Sequence, residues 1–147
     1  MPEKLYMSSE KFETAIVVGA GAFGSCIATV LSHNFKKVIL KVRSDDVHQA
    51  IQTKRENSVY LPGLKFPKNI SSALTWEELD NQIEGKIQLI VSGLPTAGIK
   101  TFFNENLKRF EKYMETGIPL VSLSKGIDPV TLELADDLFY EFFPNLK

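Results

Sequence analysis

The chain has 147 residues, 44% hydrophobic and 24% charged, the size and balance of one globular domain with a real core. Its formal net charge of -1 gives no electrostatic footprint for a nucleic acid or an anionic membrane. One cysteine, Cys26, excludes an internal disulfide, argues against a structural zinc cluster and suits a reducing compartment.

Residues 1–13, "MPEKLYMSSEKFE", carry charge throughout and lack the apolar run of a secretory signal. No stretch reaches the ~18 continuous apolar residues of a membrane span. A cytoplasmic domain without a membrane span is the expectation.

The first predicted strand is Thr14–Gly19, "TAIVVG", apolar and β-branched without alternation. Strands buried on both faces of a parallel sheet have that pattern. It runs into Gly19-Ala20-Gly21-Ala22-Phe23-Gly24, a G-x-G-x-x-G string. A helix is expected from Ala22 to about Asn34, with Phe23, Ile27, Val30 and Leu31 along one stripe. Between a strand and a helix the string reads as a dinucleotide-binding turn. Gly19 permits the tight turn, Gly21 admits the pyrophosphate to the backbone, and Gly24 lets the helix lie against the sheet. The helix N-terminus supplies free N–H groups and partial positive charge for the phosphates.

A second strand, Lys37–Val42, precedes a helix beginning near Ser44, where Ser44-Asp45-Asp46 provides a cap and favourable charge. An acid that would hold a ribose 2′-hydroxyl is expected at the end of this strand. Lys41-Val42-Arg43-Ser44 stands there instead, so Arg43 is a candidate for a 2′-phosphate, for stacking on adenine, or for solvent. Glu56–Ile70 holds two prolines and a glycine and reads as a loop, followed by a short extended piece and a small helix at "TWEELD".

The third long strand is Ile87–Ser92, and a helix is expected over about Thr96–Met114, with Ile99, Phe103, Leu107, Phe110 and Met114 at spacings of three and four. Phe102, Phe103 and Phe110 are assigned to the core. A last strand, Ile118–Ser124, leads to a helix predicted from Pro129 to Phe142. The alternation specifies an α/β fold, a doubly wound, mainly parallel sheet of the Rossmann type, occupying residues 1–147. Ligands in such sheets lie beyond the carboxyl ends of the strands, here the loops starting at Gly19, Gly93 and Ser124. His33 and His48 are isolated and form no metal-ligand pattern. Asp45/Asp46 and Asp136/Asp137 read as helix-cap or solvated charges, and Cys26 as a small packing residue.

Four stretches together resemble the NAD(P)-dependent glycerol-3-phosphate dehydrogenases of bacterial type: "GAGAFGSCIA", "REN-x-x-YLPG-x-x-FPKNI" (Arg55–Ile70), "LPT" (Leu94–Thr96) and "SKGID" (Ser124–Asp128). The resemblance implies NAD or NADP as cofactor. The implied reaction is reversible hydride transfer with dihydroxyacetone phosphate, giving sn-glycerol 3-phosphate for phospholipid synthesis. It places Gly19, Gly21 and Gly24 on the pyrophosphate, Ala22 and Phe23 near the nicotinamide, Arg43 at the adenosine ribose and Pro95 beside the cofactor. Lys125 corresponds to the lysine that contacts cofactor and substrate, and it is the candidate catalytic residue. Its place after a strand and before Gly126 suits an ammonium that stabilises a developing alkoxide or the substrate phosphate.

The resemblance covers the amino-terminal half of such enzymes. The family's helical domain, with a second lysine acting as general acid, is not among these residues, so they are expected to bind cofactor and turn over little. A homodimer of the full-length enzyme is compatible with this reading. A non-catalytic dinucleotide-binding module, or a two-domain dehydrogenase of ketopantoate or 2-hydroxyacid type, are the alternatives.

Overall fold

The computed structural model describes residues 10–145; the charged amino-terminal segment up to residue 9 and residues 146–147 lie outside the described residues. Five strands form one sheet: β1 (Phe12–Val18), β2 (Phe35–Lys41), β5 (Ile70–Ala73), β6 (Ile87–Ser92) and β7 (Leu120–Ser122). Their order is β5-β2-β1-β6-β7, and every pairing is parallel. A separate antiparallel pair joins β3 (Glu56–Asn57) to β4 (Leu61–Lys65).

The continuous apolar strands are explained by what covers them. Ala15, Val17, Val38 and Leu40 face one core with Ala28, Val47, Ile51 and Phe66. Ile16, Val18, Ile39 and Ile90 face the other with Ile99, Phe103, Phe110 and Leu138. The helices are α1 (Ala22–Leu31), α2 (Asp45–Lys54), α3 (Trp76–Asp80), α4 (Ile99–Glu115) and α5 (Ala135–Phe142). Phe103 is fully buried, with the rings of Phe110, Phe139 and Phe143 at 5.0, 5.2 and 5.2 Å and steeply inclined to it. Each such buried ring contributes about 1.5–3 kcal/mol, so the phenylalanines are core, as their spacing implied.

Three sequence expectations are corrected. Glu56–Ile70 is not all loop: its prolines and Gly63 sit in or beside an irregular hairpin, Pro62 on β4 and Pro67 just past it. The Arg55 guanidinium holds it by donating to the carbonyls of Phe66 and Pro67. The last strand is only Leu120–Ser122. The last helix starts at Ala135, not Pro129. The buried Asp128 carboxylate takes the N–H groups of Val130 and Thr131, both at 2.8 Å, and Leu132 adopts a left-handed φ of 61°. A side-chain acceptor of this kind offers the backbone a turn in place of a helix. Those N–H bonds, Thr131 foremost, hold the Asp128 carboxyl below its usual range.

At the carboxyl end of β1 the backbone is crowded. A Cβ at Gly24 would run into the Gly19 carbonyl, whereas one at Gly21 would meet nothing within 4 Å. Gly24→Ala is therefore expected to destabilise by about 1–3 kcal/mol, the usual cost of overpacking. Gly21→Ala should stay within about 0.5 kcal/mol. Urea denaturation of both variants checks the contrast. A depressed carboxyl pKa favours the folded state above the unfolded value and loses that effect as pH falls through the folded one. Wild type should thus exceed Asp128→Ala in stability at neutral pH, with the gap closing below about pH 4; denaturation midpoints across pH 7 to 3 measure it.

Candidate functional site

All five strands of the main sheet point the same way, so their following loops gather at one end. The chain order reverses between β1 and β6, and the crevice at such a reversal is where doubly wound sheets bind ligands. Ladder-like bonds continue past the strand ends there: Gly19 N–H donates to Lys41 O at 2.9 Å, Gly93 N–H to Val18 O at 2.7 Å, and Leu123 N–H to Ser92 O at 2.8 Å.

Gly19 has φ of 93°, a left-handed value that favours glycine. A Cβ on it would lie 3.0 Å from the Gly93 carbonyl oxygen, and one on Gly93 would lie 3.1 Å from the Gly19 oxygen. The glycines at 19, 24 and 93 are thus needed for the loops to meet. Gly21 is different in kind. It is the N-cap of α1, with no side-chain capping bond and no acid in the first turn. By contrast α2 is capped by Ser44 and carries Asp45 and Asp46, and α3 by Thr75 with Glu77 and Glu78. The start of α1 therefore presents N–H groups and an uncompensated dipole over open space, a surface suited to an anion.

Ala22 and Phe23 open α1 and are exposed, Phe23 by 49%. The Lys125 ammonium lies over the Phe23 ring, 5.3 Å from its centroid. The fold thus brings the β7 loop onto the glycine turn. That loop is tied to the one after β6 by two bonds: Thr96 Oγ1 donates to Lys125 O at 2.9 Å, and Ser124 Oγ donates to Leu94 O at 2.7 Å. Gly126, at φ 90°, turns the chain immediately after the lysine. Pro95 is exposed and caps the 3-10 turn Thr96–Gly98 that leads into α4.

Arg43 stands apart from this cluster, exposed beyond the end of β2. Its neighbour Lys41 is committed elsewhere: its ammonium donates to the carbonyls of Val42 at 3.1 Å and Leu74 at 2.6 Å and sits 5.2 Å over the Trp76 ring. Burial pushes the Lys41 pKa below the ordinary lysine range, against the pull of Glu78. Of the cations in the segment Lys41–Ser44, Arg43 is the one turned to solvent. The side chains of Thr96, Ser124 and Asn57 carry contacts here that sequence pattern does not single out. The first two act through hydrogen bonds to backbone thirty or so residues away, which no local spacing announces. Among the described residues there is no cluster of three or more metal-ligating side chains, and no helix is long and apolar enough to cross a membrane.

The chain is similar in sequence and in fold to known proteins. The family model described as NAD-dependent glycerol-3-phosphate dehydrogenase N-terminus matches residues 14–147. The chain is 30% identical over 129 residues to a glycerol-3-phosphate dehydrogenase [NAD(P)+] of Anaplasma marginale, covering 88% of this chain and 37% of that one. It is 30% identical over 146 residues to the glycosomal NAD(+) enzyme of Leishmania mexicana, covering 97% and 37%. Among solved structures, the glycerol-3-phosphate dehydrogenase of Coxiella burnetii superposes with a TM-score of 0.67 at 22% identity, over 89% of this chain and 37% of that one. The yeast glycerol-3-phosphate dehydrogenase gives 0.65 at 21%, over 90% and 39%. These likenesses in structure concern the fold. The chain spans a little over a third of the length of the relatives it matches. With its family matched across nearly all of its residues, the chain belongs to the amino-terminal domain family of the NAD-dependent glycerol-3-phosphate dehydrogenases.

Proposed function

We propose that this domain binds NAD or NADP and, within a complete enzyme, serves the reversible reduction of dihydroxyacetone phosphate to sn-glycerol 3-phosphate in the cytoplasm. The observation that carries the reading is the uncapped start of α1 at Gly21, open to solvent at the β1–β6 reversal, with the Lys125 ammonium beside it. The residues fit a dinucleotide. Gly19 and Gly24 shape the turn, Gly21 leaves room for a pyrophosphate, and the N–H groups of Ala22 and Phe23 at the helix start face the phosphates. In this reading Arg43, exposed beyond β2, serves the adenosine end, and Pro95, exposed after β6, borders the cofactor. When bound, the nicotinamide supplies the hydride.

Lys125 is the catalytic candidate. Its contact with Phe23 is a cation–π interaction worth about 0.5–1 kcal/mol at an exposed site. A charge-assisted hydrogen bond is worth about 1.5–3 kcal/mol, so the ammonium gives up the ring readily for a substrate phosphate or a developing alkoxide. Thr96 and Ser124 keep its backbone in place while the side chain moves.

Calorimetric titration with NADH and NADPH tests the binding claim. Saturable binding is expected, abolished by Gly21→Val in a chain that still unfolds cooperatively. If Arg43 holds a 2′-phosphate, Arg43→Ala should change the NADPH-to-NADH affinity ratio by about tenfold or more; an unchanged ratio removes it from that role. In the complete enzyme, Lys125→Met should lower kcat/KM by at least ~100-fold, the scale of an electrostatic catalytic group. A loss of twofold or less would sink the catalytic role.

A further inference from the structure

One buried polar side chain reaches the glycine turn from a distant part of the chain. Asn57, the last residue of β3, is 0% exposed. Its Nδ2 donates to the Ala20 carbonyl at 2.7 Å and to the Ser25 hydroxyl at 2.9 Å, and its Oδ1 accepts the Tyr60 N–H at 3.2 Å. Both amide hydrogens are therefore spent on the turn, and only the oxygen serves the hairpin.

The two acceptors bracket Gly21. Ala20 precedes it, and Ser25 is joined to it by the first helical bond, Ser25 N–H to Gly21 O at 3.0 Å. The peptide between Ala20 and Gly21 is planar and trans, so a carbonyl held toward Asn57 turns the Gly21 N–H the opposite way. The hairpin itself is a weak support: β3 has two residues, and its register with β4 is irregular. What it delivers to the turn is this one carboxamide.

We infer that Asn57 is a positioning residue for the dinucleotide, locking the Ala20–Gly21 peptide so that the phosphate-facing N–H groups are set before the ligand arrives. The inference rests on the reading of the glycine turn as a pyrophosphate site. Preorganisation of this kind raises affinity by removing an ordering cost from the binding step. A residue that only stabilised the fold would leave the affinity of folded protein untouched.

The test compares Asn57→Ala and the isosteric Asn57→Asp, which places a carboxylate oxygen against the Ala20 carbonyl, with Leu64→Ala. Leu64 packs from β4 against the core, so its truncation weakens the same hairpin without touching the Asn57 bonds. NADH affinity is measured well below each melting temperature, and the Gly21 amide resonance is followed in ligand-free protein. Both Asn57 variants should lose about tenfold or more in affinity, the worth of two hydrogen bonds, and Asn57→Ala should shift the Gly21 amide. Leu64→Ala should melt lower yet bind within about twofold of wild type. Affinity retained in Asn57→Ala, an unmoved Gly21 amide, or an equal loss in Leu64→Ala would each overturn the inference while leaving the turn a binding site. Failure of wild type to bind NADH would instead remove the pyrophosphate reading, and this inference with it.

Discussion

Three stretches of backbone meet beyond the ends of β1 and β6 with no room for a side chain between them. The carbonyl of Gly19 sits where a Cβ of Gly24 would be and close to where one of Gly93 would be. Everything specific to this domain depends on that approach. It lets α1 start directly over the strand-order reversal, aims the helix N-terminus at the crevice, and brings the β6 loop within reach of the β7 loop. The dense parallel sheet supplies the rigidity, with apolar residues on alternate faces buried in two cores.

Charge is then distributed sparingly. α2 and α3 have their N-termini satisfied by their own side chains, while α1 does not. Lys41 is absorbed into structure, and Arg43 and Lys125 are left facing solvent at opposite ends of the crevice. A ligand with phosphates in the middle and functional groups at both ends matches that pattern, and the proposed dinucleotide is such a ligand. The hold of Phe23 on Lys125 is weak, so the ammonium beside the glycine turn is free to move.

The fold was legible wherever a local rule governed it. Ala15–Val18 and Val38–Leu40 are buried on both sides, and their unbroken apolar runs said so before any topology was known. The tight turn at Gly19 and the close helix approach at Gly24 also followed from the spacing, and the backbone geometry shows both. What failed was governed by single side chains acting at a distance or against propensity. Pro129 looks like the first residue of a helix, but the Asp128 carboxylate captures the next two N–H groups and Leu132 turns left-handed. Residues 56–70 read as loop because two prolines and a glycine dominate them, and the hairpin is held by Arg55 bonds to the Phe66 and Pro67 carbonyls and by the Tyr60 N–H on Asn57 Oδ1, contacts that composition does not carry. Thr96 and Asn57 stand inside the stretches that carry the family resemblance, but each bonds to a backbone carbonyl far away in sequence, so their contacts are not legible there.

The central claim is that the Gly19–Gly24 turn is the pyrophosphate site of a dinucleotide. A crystal structure of the chain grown with NADH tests it most directly. The account predicts a pyrophosphate within hydrogen-bonding distance of the backbone N–H groups at the start of α1, over Gly21, with the Lys125 ammonium drawn off the Phe23 ring. NADH ordered elsewhere on the surface, with the turn empty and Lys125 still on the ring, would contradict it.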